Sequence, residues 1–233
     1  MVLGPLFGGT CYLCRGPASA LLCAACNAEL PRLAPPRCPR CALESPRGEV
    51  CGRCLAEAPR YDATVAAFAY EFPADALVHS LKFRGELALA GFLGDRLREC
   101  VGSESVDHVV PVPLSVERLR GRGYNQSVEI ARRLPGKLEL SLCERGRDTR
   151  AQVDLPYAER RRNVRGAFRC TRAILGRTVA VVDDVMTTGA TASACALALK
   201  RAGAKSVTLL ALARVDRRLI DPVREGSHTR EVS

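Results

Sequence analysis

Residues 179–191 carry the residue types in this chain that are best suited to chemistry. Four apolar residues are followed by Asp183 and Asp184, and then by a turn and a helix start. Two adjacent carboxylates repel a phosphate, but they suit a ribose diol or a magnesium ion that bridges the diol. Hydroxyls, a glycine and a helix N-terminus suit a phosphate. The stretch therefore predicts a pocket for a ligand that carries both a sugar diol and a phosphate.

Other phosphate-binding patterns are missing from the sequence. It has no GxxxxGK[ST] motif of a P-loop and no GxGxxG after a strand, so a dinucleotide fold has no support. Gly189 would let the backbone approach an anion closely. The alternative interpretation of residues 179–191 is an ordinary buried strand followed by a capped helix.

Eight of the twelve cysteines lie within the first 54 residues, in four CxxC pairs. This spacing directs two sulfurs at one ion, so eight thiolates predict two structural zinc ions with complete ligand sets. The pairing expected is sequential, although a crossed pairing stays open, as do disulfides or redox cysteines. About 50 residues with few aromatics build only a small core, so metal binding would supply the folding energy. The predicted ligands are Cys11, Cys14, Cys23 and Cys26 for one ion, and Cys38, Cys41, Cys51 and Cys54 for the other.

The elements that must position these residues alternate between strands and helices. The pattern predicts strands over residues 64–70, 106–110, 137–142, 178–182 and 206–213, and helices over 73–83, 86–100, 124–134 and 190–202. Residues 144–172 are rich in arginine and predict one long loop. We therefore expect an α/β fold with a parallel sheet flanked by helices over residues 61–214, and a small double zinc ribbon over residues 11–54.

Composition limits the ligands and the location. The 233 residues include 35 basic and 25 acidic side chains, for a formal net charge of +10. Eight thiolates holding two zinc ions would lower it to about +6. A basic chain attracts phosphate-bearing ligands or nucleic acid. No apolar run is long enough to span a membrane, and the first residues lack a secretory signal, so we expect a cytoplasmic protein.

Five further segments share a family pattern with residues 179–191. They are 79–85 (HSLKFRG), 110–114 (VPVPL), 118–126 (RLRGRGYNQ), 150–152 (RAQ) and 161–168 (RRNVRGAF). Together with the cysteine pairs they resemble the ComF family of competence proteins, in which a double zinc ribbon precedes a type I phosphoribosyltransferase domain. The family usually has phenylalanine where Tyr124 stands.

The resemblance implies a ligand, a cofactor and partners. The ligand is phosphoribosyl pyrophosphate or a related sugar phosphate, bound with Mg²⁺. Asp183 and Asp184 are the expected catalytic pair at the ribose hydroxyls. The expected phosphate-binding residues are Thr187, Thr188, Gly189, Ala190 and Thr191 for the 5′-phosphate, and Arg118, Arg120 and Arg122 for the pyrophosphate.

The biological role that the resemblance implies is DNA uptake in natural transformation, alongside a helicase-like competence protein. Pyrophosphate loss would need positioning, magnesium and charge stabilisation. The alternative is a non-catalytic competence factor that binds single-stranded DNA and keeps a vestigial pocket.

Overall fold

A computed structural model describes residues 9–102, 106–146 and 164–215. Its strands in chain order, β1 to β9, are Gly9–Thr10, Pro17–Ala18, Ala63–Ala69, His108–Pro111, Lys137–Leu138, Cys143–Arg145, Phe168–Cys170, Thr178–Met186 and Ser206–Arg214. Its helices, α1 to α7, are Ala24–Ala28, Gly52–Ala56, Ala74–Phe83, Ala88–Val101, Val116–Arg122, Gln126–Ala131 and Ala190–Arg201. None of the helices in these ranges is both long and apolar enough to cross a bilayer.

A five-stranded parallel sheet forms the centre of the fold, in the order β3-β9-β8-β4-β5. The central strands β8 and β9 are almost continuously apolar, as expected of parallel strands that are covered on both faces. Their pairing continues to the Met186–Arg214 register, whereas β4 stays paired with β8 only as far as Val182. The edge of β8 beyond Val182 is therefore open on the β4 side, where the two aspartates lie.

Alternate residues of β8 enter separate cores on the two faces of the sheet. Val179 and Val181 join one core with α7 and the second group of cysteines. Ala180 and Val182 join the other core with α3, α4 and the first group of cysteines. The strand period of two thus directs Asp183 towards the α7 face and Asp184 towards the α3 face.

The cysteine-rich segment covers the outer edge of β3, the strand at one end of the sheet. The amide of Thr64 in β3 donates to the carbonyl of Pro39 at 3.0 Å, and the amide of Ala69 donates to that of Pro31 at 2.7 Å. An uncovered edge strand exposes unpaired backbone groups to other chains. The N-terminal segment therefore protects the fold as well as carrying its cysteines.

The structure differs from the predicted elements in several places, and the strand predicted over 137–142, for example, covers only Lys137–Leu138. The strand predicted over 178–182 extends to Met186, because β9 continues to pair with it. Helix α5 was not predicted, since five of its seven residues are charged or glycine and none is buried. The ends of the predicted 144–172 loop form the antiparallel pair β6–β7, while residues 147–163 lie outside the described ranges.

Candidate functional site

The eight N-terminal cysteines form two separate clusters. Within each cluster the four sulfurs lie within 4.8 Å of one another. The clusters follow the sequential pairing, with Cys11, Cys14, Cys23 and Cys26 in the first and Cys38, Cys41, Cys51 and Cys54 in the second. Four thiolates at this spacing form a closed tetrahedral set, so the two clusters fit two structural zinc ions and leave no position for a reactive water.

The carboxylate pair lies where β8 passes beyond the end of β4. Asp184 is 5% exposed, and Lys82 at the end of α3 places its Nζ 2.9 Å from Asp184 Oδ1. Gln126, at the start of α6, donates from Nε2 to Asp184 Oδ2 at 2.5 Å. Burial alone would raise the pKa of Asp184, but Lys82 and Gln126 stabilise the carboxylate and hold its pKa below the usual range. Asp184 is therefore an ionised, fixed acceptor.

Asp183 has the opposite electrostatic environment. Its Oδ1 accepts from the amide of Asp184 at 2.9 Å, but it has no ion pair within the described ranges. Burial and the neighbouring charge of Asp184 raise the pKa of Asp183 to about 7. Two adjacent carboxylates with pKa values moved apart are a mark of functional sites. Asp183 is thus the member of the pair that needs a cation before it becomes fully charged near neutral pH.

Residues 187–191 lead from β8 into the first turn of α7 and are called the phosphate loop because the sequence predicts that they bind a phosphate. Gly189 has φ +77° and stands at the N-cap of α7, and a Cβ at this position would lie 2.5 Å from the Tyr61 hydroxyl. The hydroxyl of Thr188 accepts from the amide of Ala190 at 3.0 Å. Only glycine fits both the backbone conformation and the space, so the turn brings backbone groups and a helix N-terminus together beside the carboxylates.

The three predicted arginines occupy two sides of α5. Arg118 and Arg122 are one helical turn apart and share a face, and both are half-buried. Arg118 lies near enough to Asp183 to oppose the rise in the pKa of that carboxyl, and the Asp184 carboxylate opposes the lowering of the pKa of Arg122 that burial causes. Arg120 is exposed and lies on the opposite side of the helix. The structure therefore brings Arg118 and Arg122 to the carboxylate pair and leaves Arg120 facing solvent.

Two residues at the carboxylate pair, Lys82 and Gln126, lie in the segments 79–85 and 118–126, but the sequence assigned neither of them to Asp184. For Gln126 and Asn125 the sequence left two roles open, contact with substrate or with backbone groups. Asn125 binds backbone groups: it donates to the carbonyl of Val112 at 3.0 Å and caps α6. Lys82 and Gln126 instead bind Asp184, a contact between elements more than 40 residues apart that has no local sequence signal.

The donor set at the carboxylates fits a magnesium ion. Mg²⁺ prefers oxygen ligands and is commonly held by one or two carboxylates plus the oxygens of a phosphorylated ligand. Asp183 and Asp184 supply two consecutive carboxylates at one strand end, and Asp183 is the one without a cationic partner within the described ranges. The remaining ligand positions would belong to water and to the bound ligand.

The protein is of a class in which an N-terminal double zinc ribbon precedes a parallel α/β sheet. A carboxylate pair and a glycine turn lie at the end of one strand of that sheet. A family model described as "Double zinc ribbon domain" matches residues 2–55. The "DNA utilization protein YhgH" of Escherichia coli K12 is 34% identical over 221 residues, covering 88% of this chain and 97% of its own. "Competence protein F" of Haemophilus influenzae is 29% identical over 226 residues, covering 89% and 98%.

The chain belongs to the ComF family of competence and DNA-utilization proteins, as its motifs predicted. The fold class is confirmed as a parallel α/β sheet flanked by helices with an N-terminal double zinc ribbon. A purine phosphoribosyltransferase of Pyrococcus horikoshii shows 20% identity and a TM-score of 0.28, covering 65% of this chain and 78% of that one.

Proposed function

We propose that the pocket between β8, α5 and the phosphate loop binds phosphoribosyl pyrophosphate together with magnesium. The observation that carries this proposal is the carboxylate pair with pKa values moved apart, next to a glycine turn that opens a helix. Asp183 and Asp184 would hold the ribose hydroxyls or the ion that bridges them. The phosphate loop would hold the 5′-phosphate, and Arg118 and Arg122 the pyrophosphate.

Each residue of the pocket has a distinct part in this proposal. Lys82 and Gln126 keep Asp184 ionised and in one orientation, so that it acts as a fixed acceptor for a hydroxyl. Asp183 releases its proton when a cation arrives. Bound magnesium would neutralise charge on the pyrophosphate. If an acceptor attacks the anomeric carbon, the bond to the pyrophosphate oxygen breaks, and the arginines stabilise the departing charge.

Calorimetry with phosphoribosyl pyrophosphate and Mg²⁺ tests the site. Asp183→Asn and Asp184→Asn each remove a charge-assisted contact, so we expect affinity to fall by about tenfold or more. Asp95→Asn is the matched control, because Asp95 pairs with Arg133 on the surface. Affinities that are equal in all four proteins would refute the site. Release of pyrophosphate with a panel of acceptors separates transfer from binding.

A second candidate function, implied by the family resemblance, is binding of single-stranded DNA in natural transformation; the names of the relatives refer to DNA utilization and competence. One surface favours it: Phe83 at the end of α3 is 61% exposed, with the Arg122 guanidinium 5.0 Å and the His79 ring 4.8 Å from its ring. The side chain of Leu119 is 46% exposed and lies three residues before Arg122, on the same side of α5. An exposed aromatic ring among arginines is the combination that stacks bases and binds phosphates.

Fluorescence anisotropy with a labelled oligothymidylate tests this surface. We expect Phe83→Ala to weaken binding by about tenfold, the usual size of one lost base stack. Phe72→Ala is the matched control, because Phe72 is 77% exposed but precedes α3, at the end of the helix away from the pocket. Equal losses in both variants, or none in either, would contradict a specific stacking role. A helicase-like partner is a further prediction from the family resemblance.

A further inference from the structure

We propose that the second cysteine cluster positions the phosphate loop through Arg214 and Arg53. Ligand affinity in the pocket then depends on zinc at the second cluster and not on zinc at the first. The inference relies on the proposed function for the identity of its ligand. Its structural part, the order of the phosphate loop, does not depend on any ligand.

Arg214 joins the second cluster to the phosphate loop. It ends β9, is 1% exposed, and donates from Nε to the carbonyl of Cys41 at 2.8 Å. Its Nη1 donates to the carbonyls of Met186 at 2.9 Å and Val215 at 3.0 Å, and also to that of Thr187. One planar guanidinium thus binds the backbone of a cluster cysteine and the first residue of the phosphate loop at the same time.

The charge of Arg214 calls for a counter-charge nearby. All its hydrogen bonds within the described ranges go to neutral carbonyls, and its Nη2 is buried there with no partner. A buried cation without an opposite charge is strongly unfavourable. Four thiolates around one zinc ion carry a net negative charge, and Cys41 is one of the four. The zinc-loaded cluster is therefore the group that can balance Arg214.

Two other residues link the same cluster to the loop. Arg53 stands between Cys51 and Cys54, and its Nη2 donates to the carbonyl of Thr188 at 3.1 Å. Tyr61 is 1% exposed and lies against Gly189. Consecutive carbonyls of the loop, those of Thr187 and Thr188, are thus held from the side of the second cluster.

The first cluster has no comparable connection. Cys11 packs with Leu22 and Leu30 into the core on the α3 face of the sheet, whereas the second cluster packs with Met186 and Ala190 on the α7 face. The hydrogen bonds described above for the carbonyls of Thr187 and Thr188 come from Arg214 and Arg53, and neither arginine belongs to the first cluster. The chain therefore contains its own control, a similar metal site on the other face.

Cys51→Ser removes a half-buried ligand from the second cluster, and Cys14→Ser removes an exposed ligand from the first. Arg53→Ala leaves both clusters complete. Hydrogen exchange of residues 187–191 in ligand-free protein is the first readout. The second is calorimetry with phosphoribosyl pyrophosphate and Mg²⁺. Zinc content by metal analysis accompanies both measurements.

We expect Cys51→Ser and Arg53→Ala to speed exchange in residues 187–191 by about tenfold, with β9 unchanged, and to weaken affinity similarly. Cys14→Ser should change neither. Equal exchange in the Cys51→Ser and Cys14→Ser variants, together with an unchanged Arg53→Ala loop, would overturn the proposal. If Cys51→Ser does not fold, Arg53→Ala still tests whether the contact from the second cluster orders the phosphate loop. If hydrogen exchange in residues 187–191 changes as expected but the wild type does not bind phosphoribosyl pyrophosphate, the positioning of the loop is supported and the proposed function is refuted.

Discussion

Asp183 and Asp184 are neighbours on one strand, yet they have opposite protonation behaviour. Asp184 faces the α3 side, where Lys82 and Gln126 hold it ionised. Asp183 faces the α7 side, where burial and the adjacent charge favour its neutral form. A buried carboxyl such as Asp183 lowers the stability of the protein when it is charged and no cation is bound. This cost is typical of residues that are retained for binding.

The raised pKa of Asp183 gives a stability effect with a definite sign. Its pKa is about 7 in the folded chain against an ordinary value of 3.8, so folding disfavours the charged form. The wild type therefore loses stability as pH rises from about 4 to 7, a loss on the order of 4 kcal/mol. The side chain of the Asp183→Asn variant cannot ionise. In urea unfolding without magnesium, its free energy of unfolding should equal that of the wild type at pH 4 and exceed it at pH 8.

Asp95→Asn is the control of opposite sign. Hydrogen bonds from Arg133 lower the pKa of Asp95, so this carboxylate stabilises the fold once pH is above its unfolded pKa. Its replacement should therefore destabilise the protein at pH 8. An Asp183→Asn variant that is no more stable than the wild type at pH 8 would contradict the raised pKa.

At the residue scale the sequence predicted the groups whose identity is local. The carboxylate pair, the glycine turn and the four CxxC pairs are each encoded within a few residues. Lys82 and Gln126 could not be assigned to Asp184 from sequence, because that contact depends on how α3 and α6 pack on the same face of β8. The surface around Phe83 was missed for the same reason: its exposure depends on the packing of α3.

At the element scale, prediction succeeded where burial imposes a clear period. The long strands β3, β8 and β9 and the helices α3, α4 and α7 lie within a few residues of their predicted bounds. The sequence did not predict helix α5, because none of its residues is buried and no apolar stripe marks it. Ser115, which accepts from the Arg118 amide at 3.3 Å, and Gly123, with φ +78°, are the capping signals that could have indicated it.

Helix α5 gives a direct test of which arginines face the ligand. Arg118 and Arg122 share the face next to the carboxylates, while Arg120 is exposed on the other side. We expect Arg118→Ala to weaken binding of phosphoribosyl pyrophosphate by about tenfold and Arg120→Ala to leave it unchanged, as measured by calorimetry. If Arg120→Ala loses more affinity than Arg118→Ala, the face of α5 that carries Arg120 contacts the ligand and the proposed orientation is wrong. Ribose 5-phosphate, which lacks the pyrophosphate, should bind all three proteins equally.

At the scale of the whole molecule, the zinc ribbon and the sheet share their cores. Leu22 and Leu30 pack in one core with strands of the sheet, and Leu43 and Tyr61 pack in the other. Two domains, over residues 11–54 and 61–214, stay a prediction. The packing of the ribbon on β3 shows why the sequence could not indicate the extent of their contact: each CxxC pair encodes its own turn, but nothing local encodes the surface against which it packs.

Zinc removal should therefore destabilise more than the N-terminal segment. Without metal the ribbon loses most of its folding energy, and the edge of β3 at Thr64 and Ala69 loses its backbone partners. We expect a chelator to lower the melting temperature of the whole chain in calorimetry and to promote association that increases with protein concentration. Readdition of Zn²⁺ should restore both properties, whereas Mg²⁺ should not, since thiolates select zinc. If residues 61–214 melt at the same temperature with and without chelator, the sheet is independent of the ribbon and the shared cores contribute little to its stability.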